Sequence, residues 1–231
     1  MEEMTIRYYA PALHMATAVQ VVLPDEDDSQ PWPVCFLLGP EGSSHGWWSR
    51  HARLSSMATE HHVVIVAPDV WEGCGFDMAN GYAFGQALWQ DLPNYLRRHV
   101  LCLDWRRVWM AGYGLSGLGV LQGALEHPNL LEAAGCLATG VCGAAPDAHP
   151  YLTEKRRFCL WGKEGQPRLD WRRQQESRTR FLFLTTPGEP IGGDMQGHFA
   201  ACPPANLTET PEFCLKLFLA FAEQKEALAC P

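Results

Sequence analysis

The sequence predicts an α/β protein, a mostly parallel sheet with helices on both faces. Three observations carry that reading. Short apolar runs, Val34–Leu38 (VCFLL), Val63–Ala67 (VVIVA) and Phe181–Thr185 (FLFLT), have the look of strands buried on both sides. Segments with apolar residues at three- and four-residue spacing lie between them. The two kinds alternate along the chain, which calls for a layered α/β architecture.

In order, Thr5–Tyr9 and Thr17–Leu23 read as a hairpin-like pair of strands at a sheet edge. Residues 24–33 (PDEDDSQPWP) form an acidic, proline-bounded loop before the strand Val34–Leu38. A glycine-containing loop, Gly39–Gly46, leads into a helix over Trp47–Glu60. The strand Val63–Ala67 is followed by a long loop and a helix over Ala83–Val100, with Phe84, Leu88, Leu92, Tyr95, Leu96 and His99 on one face. Arg107–Ala111 is the next strand, and a glycine-rich turn joins it to a helix that ends before Pro128. Gly135–Ala138 and Arg157–Trp161 read as strands, Leu169–Arg180 as a basic helix or arm, and Phe181–Thr185 as the last strand. Thr210, Pro211 and Glu212 supply a cap, a first-turn proline and an acid for a closing helix striped with Cys214, Leu217, Phe218 and Phe221.

A chain of 231 residues, 47% of them hydrophobic, can bury one sizeable core. It reads as one domain over 1–231, with room for a small excursion at about 140–175. The net charge of −8 argues against nucleic acid and gives no attraction to an anionic membrane. No apolar run approaches the ~20 residues of a membrane span, and the acidic N-terminus has no apolar signal segment. Nine scattered cysteines without a CxxC pair read as reduced thiols of a cytoplasmic protein, with no metal site expected.

A strand, a sharp glycine turn and a helix around 112–119 describe a nucleophile elbow. Its usual form, G-x-S-x-G, needs small residues two before and two after the apex, where strand and helix approach. Two registers compete. With Ser116 at the apex, bulky Leu118 falls where a small residue is needed. With Gly114 at the apex, Gly112 and Ser116 flank it, and the nucleophile is absent. Sterics favour the second. Glycine takes unusual backbone angles without strain. The same turn also fits a glycine loop in some other α/β fold. Gly112-Tyr-Gly114-Leu-Ser-Gly117 matches G-x-G-x-x-G as well, but no acid ends the next strand to bind a ribose, so no dinucleotide and no other cofactor is expected.

The stretch from Asp104 through Gly114 to His127-Pro128 resembles the esterase D and tributyrin esterase family of α/β hydrolases, which includes S-formylglutathione hydrolases. That family's pattern D-x-x-R, strand, A-G-x-S-M-G-G, then H-P, fits without a gap, and its serine falls on Gly114. Ala133–Gly140 (AAGCLATG), Pro68-Asp69, Gln90–Pro93 and the opening strand pair are similar to the family too. The resemblance implies a three-layer α/β-hydrolase fold, ester chemistry and a small-molecule ester or other small ligand as partner.

Against the family's pattern this chain departs at several places. The oxyanion loop L-L-H-G-x-x-G reads Leu37-Leu38-Gly39-Pro40-Glu41-Gly42; proline has no N–H to donate. The residue after the apex, Leu115, is the other oxyanion position. The triad acid, expected as G-x-x-D after a strand, falls on Gly165, with Glu164 beside it. The triad histidine falls on His198, in Gln196-Gly197-His198. The resemblance therefore implies an esterase relative whose triad is degenerate. Two other readings stay open: a weak carboxylesterase for short acyl esters using Ser116, His198 and Glu164, and a non-catalytic platform such as a homodimer. Trp47, Trp48 and Trp71 follow loops that should share the mouth of the sheet, so they line a cleft or fill the core. Arg168, Arg172, Arg173, Arg178 and Arg180 read as a solvated face.

Overall fold

In the computed structural model one eight-stranded sheet runs in the order β1-β2-β4-β3-β5-β6-β7-β8. The structure describes residues 2–25, 31–138, 152–165, 169–174, 177–185, 198–201 and 211–224. Of the features read above, Thr139, Gly140, Arg168, Gln196, Gly197 and Thr210 lie outside the described residues, as does most of the first half of the 140–175 excursion. Strands β1 (Glu2–Ala10) and β2 (Met15–Leu23) pair antiparallel at one edge, and β2 is antiparallel to β4 (Val64–Pro68). The remaining strands, β3 (Trp32–Leu38), β5 (Leu103–Tyr113), β6 (Ala133–Leu137), β7 (Arg180–Thr185) and β8 (His198–Ala201), run parallel to one another and to β4. Every residue of β3, β4 and β6 is buried. This is why those runs lack a polar alternation: each has helices or loops on both sides.

Two apolar layers result. On one face lie α3 (Phe84–Gln86), a π turn (Ala87–Asp91), α4 (Leu92–His99) and α5 (Ser116–Glu126), packed on Phe36, Val66 and Met110. On the other lie α1 (Trp47–His51), α2 (Leu54–Glu60) and α7 (Pro211–Glu223), packed on Leu37, Ile65 and Ala111. The single helix expected over Trp47–Glu60 is broken, because Ala52 is extended (φ −147°, ψ 152°). The helical stretch over 84–99 is continuous but widens into the π turn just before Pro93. Proline has no N–H to return to the carbonyl of Trp89, so the turn ahead of it loosens.

Three expectations are corrected. Arg157–Trp161 is not a strand: it lies in α6 (Glu154–Trp161). The Thr153 side chain caps this helix by accepting the Arg156 N–H, and Glu154 sits at its positive end. Phe158 stays 49% exposed while Leu160 is buried, whereas residues two apart in a strand would share one face. The basic segment 169–180 is not one helix either. Trp171–Gln174 forms a short 3-10 turn, and Arg180 opens β7. The Arg180 guanidinium is half-buried and donates to the carbonyls of Phe221, Ala222 and Gln224, capping the negative end of α7. Lastly, β7 is not the final strand; β8 pairs with it in parallel.

Candidate active site

Strand β5 ends at Tyr113 and α5 begins at Ser116, so the chain reverses over Gly114 and Leu115. Gly114 has φ +62°, the left-handed region that costs an ordinary residue ~1–2 kcal/mol. Its N–H donates to the Leu137 carbonyl at 2.9 Å, which ties the turn to β6. The approach of helix to strand is set by Gly112. A Cβ there would lie 2.4 Å from the Ser116 carbonyl carbon and oxygen and 2.6 Å from the Gly117 nitrogen. Gly114 is therefore the apex, with Gly112 and Ser116 as the close-packed flanks. At Gly114 itself a Cβ would meet only Glu41 Oε2 and Pro40 Cβ, both at 3.8 Å. The apex has room for a side chain and carries none.

Ser116 lies beyond the apex, at the start of α5. The residue is fully buried, and its hydroxyl donates to the Gly39 carbonyl at 2.6 Å. Beneath it Cys74 is buried, and loss of solvent pushes its thiol up to about 12. Ser116 thus pins the loop after β3 to the start of α5.

The loop after β3 is held just as tightly. A Cβ on Gly39 would lie 2.4 Å from Ser43 Oγ. The Gly42 N–H donates to the Trp71 carbonyl at 2.7 Å, and Val70 and Trp71 donate to Ser43. Pro40 contributes no N–H, and the Glu41 carboxylate stands over the apex. Buried Leu115 precedes α5; its carbonyl accepts the Leu118 N–H and that of Gly114 accepts the Gly117 N–H. A helix start favours an anion, and Glu41 already supplies one nearby.

The strand register places the His198 backbone in the row of Ala111, three residues before the apex. His198 opens β8 opposite Leu182, in the row that runs through Gly135 and Ala111. Three strand spacings and three residues of β5 separate its backbone from Gly114, roughly 17 Å. Gly165 follows a 3-10 turn after α6 instead of a strand, with φ +65° and nothing within 4 Å of a Cβ placed on it. Glu164 belongs to that same turn and is exposed. Both acid positions therefore lose the strand end on which they were read.

The structure adds a pair that the sequence did not signal. His45 Nδ1 lies 2.8 Å from Asp69 Oδ1, which also accepts the His45 N–H. Asp69 Oδ2 accepts the Ala18 N–H and the Thr17 hydroxyl. The carboxylate is almost wholly buried and the imidazole about a quarter exposed. With Nδ1–H directed at the carboxylate, Nε2 is left as the acceptor. Asp69 follows the last residue of β4, so the pair sits at the same end of the sheet as the apex. Of the tryptophans, Trp48 is core at 1% exposure, Trp47 packs on Tyr113 with ring centroids 5.3 Å apart, and Trp71 is exposed at φ +50°. One of the three fills space; the other two follow the loops after β3 and β4.

The overall architecture is matched in solved structures. The fold is similar to an S-formylglutathione hydrolase from Agrobacterium tumefaciens (TM-score 0.66, 19% identity, 80% of this chain and 75% of that one). It is similar to the Staphylococcus aureus fluorophosphonate-binding serine hydrolase FphF (TM-score 0.63, 16% identity, 80% and 79%). It is also similar to Mycobacterium tuberculosis MPT51 (TM-score 0.72, 14% identity, 96% and 97%). These likenesses establish the α/β-hydrolase fold. A sequence comparison with curated proteins finds no match. Residues 10–181 match the family model described as "Putative esterase", in keeping with the resemblance read from the elbow. The chain belongs to that esterase family.

Proposed function

We propose that this esterase-family protein does not carry out serine-ester hydrolysis and uses the mouth of its sheet to bind a small molecule. The observation that supports this reading is Gly114 at the apex of an otherwise well-formed elbow. Acyl transfer through the enzyme needs a nucleophile, a base and donors for the oxyanion together. Here the apex carries no hydroxyl, Pro40 donates nothing, and Glu41 places negative charge where an oxyanion would form. The consequence for turnover is large, since loss of a serine nucleophile costs about 10⁶-fold in a serine protease such as subtilisin.

The retained features favour binding. Trp47, Tyr113 and Trp71 offer aromatic surface, and His45 offers an oriented acceptor, at the end of the sheet where α/β folds take ligands. The buried cysteines Cys35 and Cys74 are free thiols, which favours a cytoplasmic setting. Among the described residues no helix is long and apolar enough to cross a membrane. The test is incubation of the pure protein with short-chain nitrophenyl esters and with a fluorophosphonate probe. The expected result is background hydrolysis and no covalent adduct. Turnover that disappears in Ser116→Ala would overturn the proposal.

A further inference from the structure

Strand β1 is the edge of the sheet: among the described residues no strand lies outside it. Its inner side pairs with β2 over nine consecutive residue pairs with no bulge. Its outer side therefore presents an unbroken row of N–H and C=O groups, the kind of surface on which a further strand can add. Globular proteins usually disarm such an edge by keeping it short, or with a proline, a bulge or charge. β1 runs for nine residues and contains no proline. Charge is the device left to it.

The charges on this edge have opposite sign, and their spacing is self-complementary. Glu3, Thr5 and Arg7 alternate along one face and are exposed. Met4 and Ile6 lie on the other face, half-buried against the core. Glu3 and Arg7 are four residues apart, about 13 Å along an extended strand, and among the described residues Arg7 is in no ion pair within its own chain. Glu3 Oε1 accepts the Gln20 side-chain amide, which holds the carboxylate on the exposed face.

A second copy related by a two-fold axis perpendicular to the sheet would lay its β1 antiparallel to this one, with side chains of the same face opposite each other. Centring the axis on Thr5 sets Glu3 opposite Arg7 twice, and Met4 opposite Ile6 twice on the other face. Centring it on Met4 sets Glu3 against Thr5. Centring it on Ile6 sets Glu3 against Tyr9 and Arg7 against Thr5. Side chains directly opposite in an antiparallel pair have Cβ atoms only ~4.5–5.5 Å apart, so of these three registers only the one on Thr5 yields two ion pairs and two apolar contacts together.

We propose that two copies of this chain join through their β1 edges, antiparallel and centred on Thr5, so that the sheet continues across the two-fold axis. A strand from an unrelated protein would meet the same backbone groups, but the order acid, Thr5, base along the edge is matched by its own reverse, which a second copy supplies.

The test is sedimentation velocity of the full chain over a range of concentrations. The parent should form a dimer of twice the 25.8 kDa monomer mass. Arg7→Glu makes the exposed face of this edge acidic, and Glu3→Arg makes it basic. Each variant alone should dimerise at least about 10-fold more weakly, because like charges then face each other on both sides of the axis. An equimolar mixture of the two should recover the parent's affinity to within about 3-fold, since an acidic edge then meets a basic one. Recovery in the mixture also shows that both variants fold. A parent that stays monomeric at about 100 µM, a concentration that populates even a weak dimer, overturns the proposal. So does a dimer that both variants leave intact, or a mixture that associates no better than its parts. Mass is the readout throughout, so the result is independent of ester turnover at the mouth.

Discussion

Gly112 and Ser116 are in backbone contact: a Cβ on the first would stand 2.4 Å from the carbonyl of the second. This contact lets α5 leave β5 at so sharp an angle, and it makes Gly114 the apex. Gly112→Ala must push helix and strand apart, because the obstructing atoms are backbone and cannot rotate away. We expect it to destabilise the protein by about 2–4 kcal/mol, at or above the usual range for overpacking. Chemical denaturation checks this. A loss below about half a kcal/mol, the size of an ordinary surface substitution, would mean that the turn relaxes freely and that the register argument is weak.

Ser116 separates the two readings of the elbow. Its hydroxyl is spent on the Gly39 carbonyl in a fully buried site. Ser116→Ala leaves that carbonyl without its donor and should cost about 1–2 kcal/mol, with no change in ester hydrolysis above background. The same variant in a fluorophosphonate assay should look like the parent.

Gly114→Ser asks whether the apex lacks only its hydroxyl. The space is there, since the nearest atoms to a Cβ are Glu41 Oε2 and Pro40 Cβ at 3.8 Å. The backbone is not ideal for a side chain, so a loss of about 1–2 kcal/mol is expected. The new serine would have Glu41 beside it and no oxyanion donor from Pro40, so we expect no restored turnover of nitrophenyl acetate. Activity that appears in Gly114→Ser and vanishes on adding His198→Ala would show that His198 reaches the apex after all.

Much of this was legible in the sequence. The buried strands announced themselves because a strand covered on both faces has no polar alternation, and β3, β4 and β6 have none. The apex was legible because its sterics are local: Gly112, Gly114 and Ser116 lie within one short turn. The acid position was not. Thr153 caps a helix where the short run Arg157–Trp161 read as a strand, so Gly165 lost its strand end. Local capping outweighed a short-window pattern. The His45–Asp69 pair spans 24 residues and depends on two loops meeting, which no spacing rule encodes. Arg180 looked like one charge in a solvated run, and only the return of α7 gave it carbonyls to cap.

Arg180 therefore carries a prediction of its own. Its guanidinium holds three carbonyls at the end of α7, and burial lowers its pKa from the usual value. Arg180→Met keeps most of the apolar stem and removes the donors. We expect a loss of about 1–3 kcal/mol, the range for hydrogen bonds to a charged group. Faster amide exchange should be confined to residues 219–224. Uniformly faster exchange across the sheet would instead mark Arg180 as a core packing residue.

The buried thiols predict how stability depends on pH. Burial raises Cys74 from 9.0 to about 12 and pushes Cys35 up further in the same direction. In the unfolded chain both would ionise near the ordinary thiol value. Above that value the unfolded state binds fewer protons than the folded one, so stability falls as pH rises. The contribution is fully present below about pH 9 and is lost progressively as pH climbs toward the folded values. Urea midpoints should thus be flat from about pH 7 to about 8.5 and decline beyond it, less so in Cys74→Ala. At about pH 8 in native buffer Cys74 should resist iodoacetamide, since a buried thiol with so high a pKa is almost wholly protonated. Rapid alkylation of Cys74 without unfolding would show that the floor of the elbow is open to solvent, and the close packing of α5 on the 73–75 loop would have to be abandoned.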